Sequence, residues 1–268
     1  MFMLRVTLVQ SSLQWEKPEA NREMFAEKLA GLAGTTDLVV LPEMFSTGFS
    51  MNAEKLAEPM TGATMQWLAS QAKKLEAAVI ASFICQEESR FYNRLIMMRP
   101  DGNFDYYDKK HLFTLAGEGE HFSPGRSRLA LEWKGWRICP LICYDLRFPV
   151  WSRNMRGSFF TGLNPYYDLL LYVANWPAKR SHHWRSLLTA RAIENQSYVV
   201  GVNIVGRDGN QLDYTGDSML IDYSGQPLAH LGDGQEQMVT LTLDKTGLDN
   251  YRKDLPFLLD GDVFEFKG

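Results

Sequence analysis

Apolar runs of strand length alternate with helix-like segments through the first third of the chain, and this alternation narrows the fold more than any other feature. Residues 5–9 are followed by the helix-like stretch 19–32, residues 38–41 by 60–75, and residues 78–83 by another strand candidate at 94–98. Short continuous apolar runs bounded by turn residues suit strands covered on both faces, so the pattern predicts an α/β protein with mostly buried strands. Pro100-Asp-Gly102 separates residues 94–98 from a strand candidate at 104–108 and reads as a hairpin turn. Residues 169–174, 198–202 and 217–222 continue the strand count, with turns at Arg207-Asp-Gly-Asn210 and Tyr223-Ser-Gly225. The 268 residues contain no linker-like tract, repeat or low-complexity segment that would divide them, so one domain is expected. Residues 157–165, with two Phe between glycines, read as a loop insertion.

Composition bears mainly on partners. A net charge of -4 with no basic cluster gives no footprint for nucleic acid or an anionic membrane, and no apolar stretch is long enough to suggest a membrane span. A small-molecule partner and a cytoplasmic setting are expected. Three cysteines, Cys85, Cys139 and Cys143, without CxxC spacing, suggest neither a disulfide framework nor a thiolate zinc site. His111, His121, His182 and His183 lack the companions of a metal motif, and no dinucleotide or phosphate loop is present, so no metal or cofactor is expected.

Three places put reactive side chains at the ends of strand-like runs, where open α/β sheets gather functional groups. Leu38-Val-Val-Leu-Pro-Glu43 ends in a carboxylate that could serve as an acid/base or simply sit as a surface charge after a strand. Tyr107-Asp-Lys-Lys-His-Leu-Phe113 offers adjacent lysines, of which at most one can face a site; a solvated pair is the other reading. Trp136-Arg-Ile-Cys-Pro-Leu-Ile-Cys-Tyr-Asp-Leu-Arg-Phe-Pro149 breaks abruptly from apolar to charged at Cys143, a good position for a nucleophile that a nearby base or cation would have to activate. A free cysteine is more often a small buried hydrophobe, and that reading is preferred for Cys85 and Cys139.

Taken together, Leu-Pro-Glu43, Tyr-Asp-Lys109-Lys-His-Leu-Phe and Cys143-Tyr-Asp-Leu-Arg-Phe-Pro resemble the Glu-Lys-Cys triad of the nitrilase superfamily, the carbon-nitrogen hydrolases. The resemblance runs the length of the chain and includes Phe122-Ser-Pro-Gly125, Asn175-Trp-Pro177 and the segment 183–195. It implies a four-layer αββα sandwich, with Glu43 as base, Lys109 rather than Lys110 as the cation, and Cys143 as nucleophile. A second family glutamate falls in register on Glu118, and a shift of two residues would bring Glu120 instead.

Among the branches, the similarity is greatest to bacterial omega-amidases, which hydrolyse the terminal amide of 2-oxoglutaramate and 2-oxosuccinamate through a cysteine thioester. Arg147 then suits the substrate carboxylate, unless it pairs with Asp145; Tyr144, through its backbone N–H, and Trp176 complete the substrate-binding candidates. The resemblance further implies a homodimer built through helices and a C-terminal extension from about residue 244 to 268, whose Tyr251, Phe257, Phe264 and Phe266 would be costly to expose. A carbamoylase, aliphatic amidase or nitrilase of the same superfamily, or a non-catalytic binding protein of this fold, are the competing readings.

Overall fold

Strict alternation of side chains along the early strands forces them to be covered twice, and the computed structural model, which describes residues 3–154 and 166–262, shows what covers each face. The strands in chain order are β1 (Met3–Gln10), β2 (Leu38–Val40), β3 (Ala78–Glu87), β4 (Arg90–Met98) and β5 (Phe104–Asp108). There follow β6 (Leu131–Trp133), β7 (Trp136–Ile142), β8 (Leu169–Val173), β9 (Tyr198–Val202), β10 (Val205–Arg207), β11 (Asp213–Thr215), β12 (Ser218–Ile221), β13 (Pro227–Leu231) and β14 (Gln237–Asp244). The helices are α1 (Pro18–Leu29), α2 (Ala53–Leu56), α3 (Ala63–Leu75), α4 (Glu118–His121), α5 (Pro149–Ser152), α6 (Ser181–Asn195) and α7 (Lys245–Asp254).

Among the described residues the strands form two six-stranded mixed sheets, β14-β1-β2-β3-β4-β5 and β13-β12-β9-β8-β7-β6, and the separate ribbon β10-β11. Each sheet is built around three parallel strands, β1-β2-β3 in one and β7-β8-β9 in the other, with antiparallel strands added on both sides. Leu4, Val6 and Leu8 of β1, Leu38 and Val40 of β2, and Ala78 and Ile80 of β3 turn one way, into a core shared with the second sheet. Their neighbours Val9, Val39, Val79 and Ala81 turn the other way and meet Phe25 and Leu29 of α1 and Met65, Leu68 and Ala72 of α3.

On the far side, α6 lays Trp184, Leu188 and Ala192 on the second sheet. Its approach depends on Gly201 of β9, where a Cβ would lie 2.5 Å from Leu188 Cδ1 and 2.7 Å from Trp184 Cζ2. The layers are therefore helix, sheet, sheet, helix, the sandwich expected from the resemblance. No helix among the described residues is long and apolar enough to cross a membrane.

Several boundaries differ from the sequence reading for local reasons. The predicted helix 60–75 begins only at Ala63, because residues 59–62 turn and the Glu58 carboxylate accepts hydrogen bonds from Thr64 N and Thr64 Oγ1, both at 2.7 Å. The strands read as 78–83 and 94–98 are the inner parts of a longer hairpin, whose outer residues carry mixed polarity and broke the apolar pattern. The ribbon β10-β11 around the predicted turn at Arg207 was not anticipated, since neither arm exceeds three residues. At the C-terminal end, α7 docks on its own chain through buried Leu248 and through Arg252, which donates to Asp168 Oδ1 at 2.9 Å and to the Gln196 carbonyl at 2.7 Å. Phe264, Phe266 and the loop 157–165 lie outside the described residues.

Candidate active site

The chain leaves β2 through Leu41 and Pro42 and turns at once, which points the next side chain, Glu43, between the sheets. Glu43 is wholly buried. Its Oε1 accepts from Asn93 Nδ2 at 2.8 Å and Lys109 Nζ at 3.0 Å, and its Oε2 accepts from the backbone N–H of Asn175 at 2.8 Å. Asn175 follows the end of β8 and its own Nδ2 donates to the Glu43 carbonyl at 2.6 Å, so the ends of β2 and β8 are tied together.

Lys109 is the first residue after β5. Its N–H donates to the Asn93 carbonyl at 3.0 Å, and its carbonyl accepts from Gly125 N at 2.8 Å. This second contact accounts for the Ser-Pro-Gly turn: a Cβ at residue 125 would collide with the Asp108 carbonyl, so only glycine lets the turn back up against the strand end. The Lys109 ammonium bonds Glu43 and both oxygens of Glu118, at 3.0 and 2.9 Å. Burial disfavours the charged ammonium, but the Glu118 and Glu43 carboxylates outweigh it and hold Lys109 above the ordinary lysine value. Glu118 is itself raised, by burial first, with Lys109 opposing and Glu43 adding to the rise. Glu120 is exposed, and of the two glutamates it is Glu118 that meets Lys109. Lys110 turns away and lies 5.4 Å from the Trp151 ring centroid.

β7 ends at Ile142, and Cys143 takes the left-handed conformation with φ of +43° before a short 3₁₀ turn spanning Cys143–Arg147. That conformation is uncommon for a residue with a side chain and concentrates at sites where geometry is imposed by the surroundings. The thiol is half-buried, feels the charge of the Glu43 carboxylate, and lies 3.9 Å from the Asn175 carbonyl. Burial, then the Glu43 carboxylate, push it well above the ordinary thiol value, with Lys109 opposing. Cys143 thus rests as a neutral thiol near a buried carboxylate. Cys85 and Cys139 are buried and raised to about 11, chiefly by burial, as inert core thiols would be.

Cys143 lies in the wall of a cavity of about 570 Å³ that also presents Tyr144, Arg147, Trp176, Arg180 and Tyr214. The Arg147 guanidinium lies over the Trp176 ring, 4.7 Å from its centroid, and donates to His183 Nδ1 at 3.2 Å. It does not pair with Asp145, which is buried and takes its hydrogen bonds from Tyr107, His111 and Ile142. Burial and the neighbouring Arg180 lower the Arg147 pKa, the signature of a cation held in a site without a counter-charge. Trp176 is buried, with its N–H groups committed to Asn203 Oδ1 at 2.7 Å and the Arg180 carbonyl at 2.8 Å, and so forms a fixed wall.

Sequence reasoning had not assigned Asn93, Asn175 or Arg180 a place in the site. Asn93 leaves one signal in the sequence, an amide inside a run that continues as an apolar strand, and buried amides of that kind are usually bonded to something specific. Among the described residues no group of three or more His, Cys, Asp or Glu could hold a metal ion.

A family model described as carbon-nitrogen hydrolase matches residues 5–253. The omega-amidase YafV of Escherichia coli strain K12 is 44% identical over 263 residues, which are 97% of this chain and 98% of that protein. The 2-oxoglutaramate amidase of Bacillus subtilis strain 168 is 33% identical over 95% of this chain and 96% of its own length. Among solved structures, XC1258 of Xanthomonas campestris, a CN-hydrolase superfamily protein with an arsenic adduct in its active site, superposes with a TM-score of 0.97 at 48% identity, covering 99% of this chain and all of that one (100%). With the family match extending over nearly the whole sequence, this chain belongs to the carbon-nitrogen hydrolase family.

Proposed function

We propose that this chain is an omega-amidase that hydrolyses the terminal amide of 2-oxoglutaramate or 2-oxosuccinamate to the 2-oxo dicarboxylic acid and ammonia. The observation that carries this reading is the joining of two features in one cavity: the thiol with Glu43 and Lys109 behind it, and, on the walls, Arg147 and Arg180, which have no ion pair among the described residues. An amide whose far end is a carboxylate satisfies both. The named activities of the Escherichia coli and Bacillus subtilis relatives support the same substrate class.

In the proposed reaction Glu43 accepts the thiol proton as Cys143 Sγ forms a bond to the amide carbon. The oxyanion that develops is met by the Lys109 ammonium and by the N–H of Tyr144, one of the first N–H groups of the 3₁₀ turn and therefore without a partner inside it. The tetrahedral adduct collapses by breaking the carbon–nitrogen bond, and Glu43 returns its proton to the departing ammonia. A water then gives a proton to Glu43 and adds to the thioester; the carbon–sulfur bond breaks, the acid is released, and the proton goes back to sulfur. Glu118 holds Lys109 with both oxygens, which supports the role of orienting the ammonium.

The test is ammonia release from 2-oxoglutaramate, glutamine, an N-carbamoyl amino acid and a simple nitrile, for the wild type and for Arg147→Ala. The wild type should be fastest on 2-oxoglutaramate. A hydrogen bond to a charged group is worth about 1.5–3 kcal/mol, so Arg147→Ala should lose roughly 10- to 100-fold in kcat/KM on that substrate and far less on a neutral amide. Greater rates on the nitrile or the carbamoyl compound would refute the substrate assignment, and equal losses on acidic and neutral amides would refute the role of Arg147.

We further propose that the enzyme is a homodimer that covers the groove lined by Val150, Arg153 and Phe257. Val150 in that lining is 54% exposed, and Leu255 and Leu259, on either side of Phe257 in sequence, are 46% and 40% exposed, apolar surface that association would remove from water. Light scattering should give twice the chain mass of 30.6 kDa, and a monomer would dismiss the dimer.

A further inference from the structure

Asp145 lies two residues beyond Cys143, is wholly buried, and is absent from the cavity wall. Its Oδ2 accepts from Ile142 N at 3.1 Å and from Tyr107 Oη at 2.7 Å. Its Oδ1 accepts from His111 N at 3.0 Å and is 2.7 Å from His111 Nδ1. The placement of these partners is systematic. Ile142 and Asp145 bracket Cys143, while Tyr107 and His111 stand two residues before and two residues after Lys109. One carboxylate therefore joins the turn that carries the thiol to the segment that carries the ammonium, across the gap between the two sheets.

The partners are themselves immobilised. Tyr107 Oη accepts from Trp151 Nε1 at 2.9 Å and Lys110 N at 3.3 Å, and the His111 ring stacks on Phe148 with centroids 3.8 Å apart and planes 7° from parallel. A buried carboxylate with donors on both oxygens has little freedom to move, because each lost contact would leave polar atoms unpaired away from water. The positive φ of Cys143 adds to the argument: a turn in that conformation needs its surroundings to hold it.

We propose that Asp145 is a positioning residue that fixes the Cys143 sulfur relative to the Lys109 ammonium. It acts through Ile142, Tyr107 and His111 and touches neither substrate nor the reacting atoms. Only the kinetic arm of its test rests on the amidase reading given above.

Asp145→Asn preserves shape but turns an NH₂ group toward donors on one side, which should part the two segments slightly. Displacements near 1 Å in such sites cost about 100-fold. The variant should melt as a folded protein, with kcat down roughly 100-fold and KM within about threefold of the wild type. Alkylation of Cys143 by iodoacetamide at neutral pH should slow by about tenfold as Lys109 recedes from the sulfur. A merely structural role would lower the melting temperature and leave kcat and the alkylation rate, measured well below the melt, unchanged. That result overturns the proposal. Should Asp145→Asn not fold, Tyr107→Phe and His111→Ala each remove contacts to a single oxygen and carry the same expectation at about tenfold; both within twofold of the wild type would equally overturn it. Alkylation needs no substrate, so an enzyme releasing no ammonia from any amide would sink the amidase reading while the role of Asp145 was still being measured.

Discussion

Cys143→Ala should release no ammonia above background from 2-oxoglutaramate while keeping a wild-type fold. The loss should reach about 10⁴-fold or more, because the variant has no nucleophile to form the acyl intermediate and residual binding and oxyanion contacts cannot supply one. The fold should survive because the change removes a single sulfur from a half-buried side chain whose thiol makes one weak contact, to the Asn175 carbonyl at 3.9 Å. A stability change of about 1 kcal/mol or less is expected on that basis. Cys143→Ser should be nearly as inactive: a hydroxyl is a poorer nucleophile, and the buried, anionic surroundings that already push the thiol up would oppose an alkoxide more strongly. Ammonia release and circular dichroism on the same preparations decide the matter. Turnover within 100-fold of the wild type would end the covalent mechanism, and a wild type equally silent on all amides would favour the binding-protein reading.

The parts of this site that could be read from the sequence are those whose position in a strand carries the information. Glu43, Lys109 and Cys143 each stand at or just past the end of a strand-like run, and in an α/β sheet those ends converge whatever the sequence distance between them, while the preference for Lys109 over Lys110 rested on the family resemblance. Partners set by tertiary approach were less visible. Asn93 bonds a carboxylate 50 residues away, and its neighbours in β4 say nothing about which strand end it faces. The choice between Glu118 and Glu120 turned on how tightly the chain winds after Gly117, where φ of +68° starts a short helix that buries the first glutamate and exposes the second. Arg147 and Asp145 were read as a possible ion pair because they are close in sequence. The 3₁₀ turn between them sends Asp145 inward to the Lys109 segment and Arg147 outward to Trp176, a divergence that residue type alone does not encode.

Lys109 and Lys110 offer the sharpest contrast between adjacent identical residues. Lys110→Ala should change kcat/KM by less than about threefold, since its ammonium is partly solvated and its approach to Trp151 is worth about 0.5–1 kcal/mol to stability. Lys109→Ala should lose about 10³-fold in kcat, the scale of removing a principal oxyanion donor. It should also cost about 3–5 kcal/mol in stability, because Glu43 and Glu118 would face each other, buried, without the cation they share. The pH dependence of that deficit has a definite sign. Glu118 is already raised in the folded protein by burial, with Lys109 as the chief opposing influence, so removing the lysine raises it further. A carboxyl whose folded pKa exceeds its unfolded value binds its proton more tightly when folded, and its contribution to stability is present at low pH and lost as pH rises through the folded pKa. The difference in melting temperature between Lys109→Ala and the wild type should therefore be smaller at pH 5 than at pH 8. A deficit that is equal or larger at pH 5 would show that the two glutamates are not the groups left unpaired, and an inactive Lys110→Ala beside an active Lys109→Ala would move the cation of the mechanism to the other lysine.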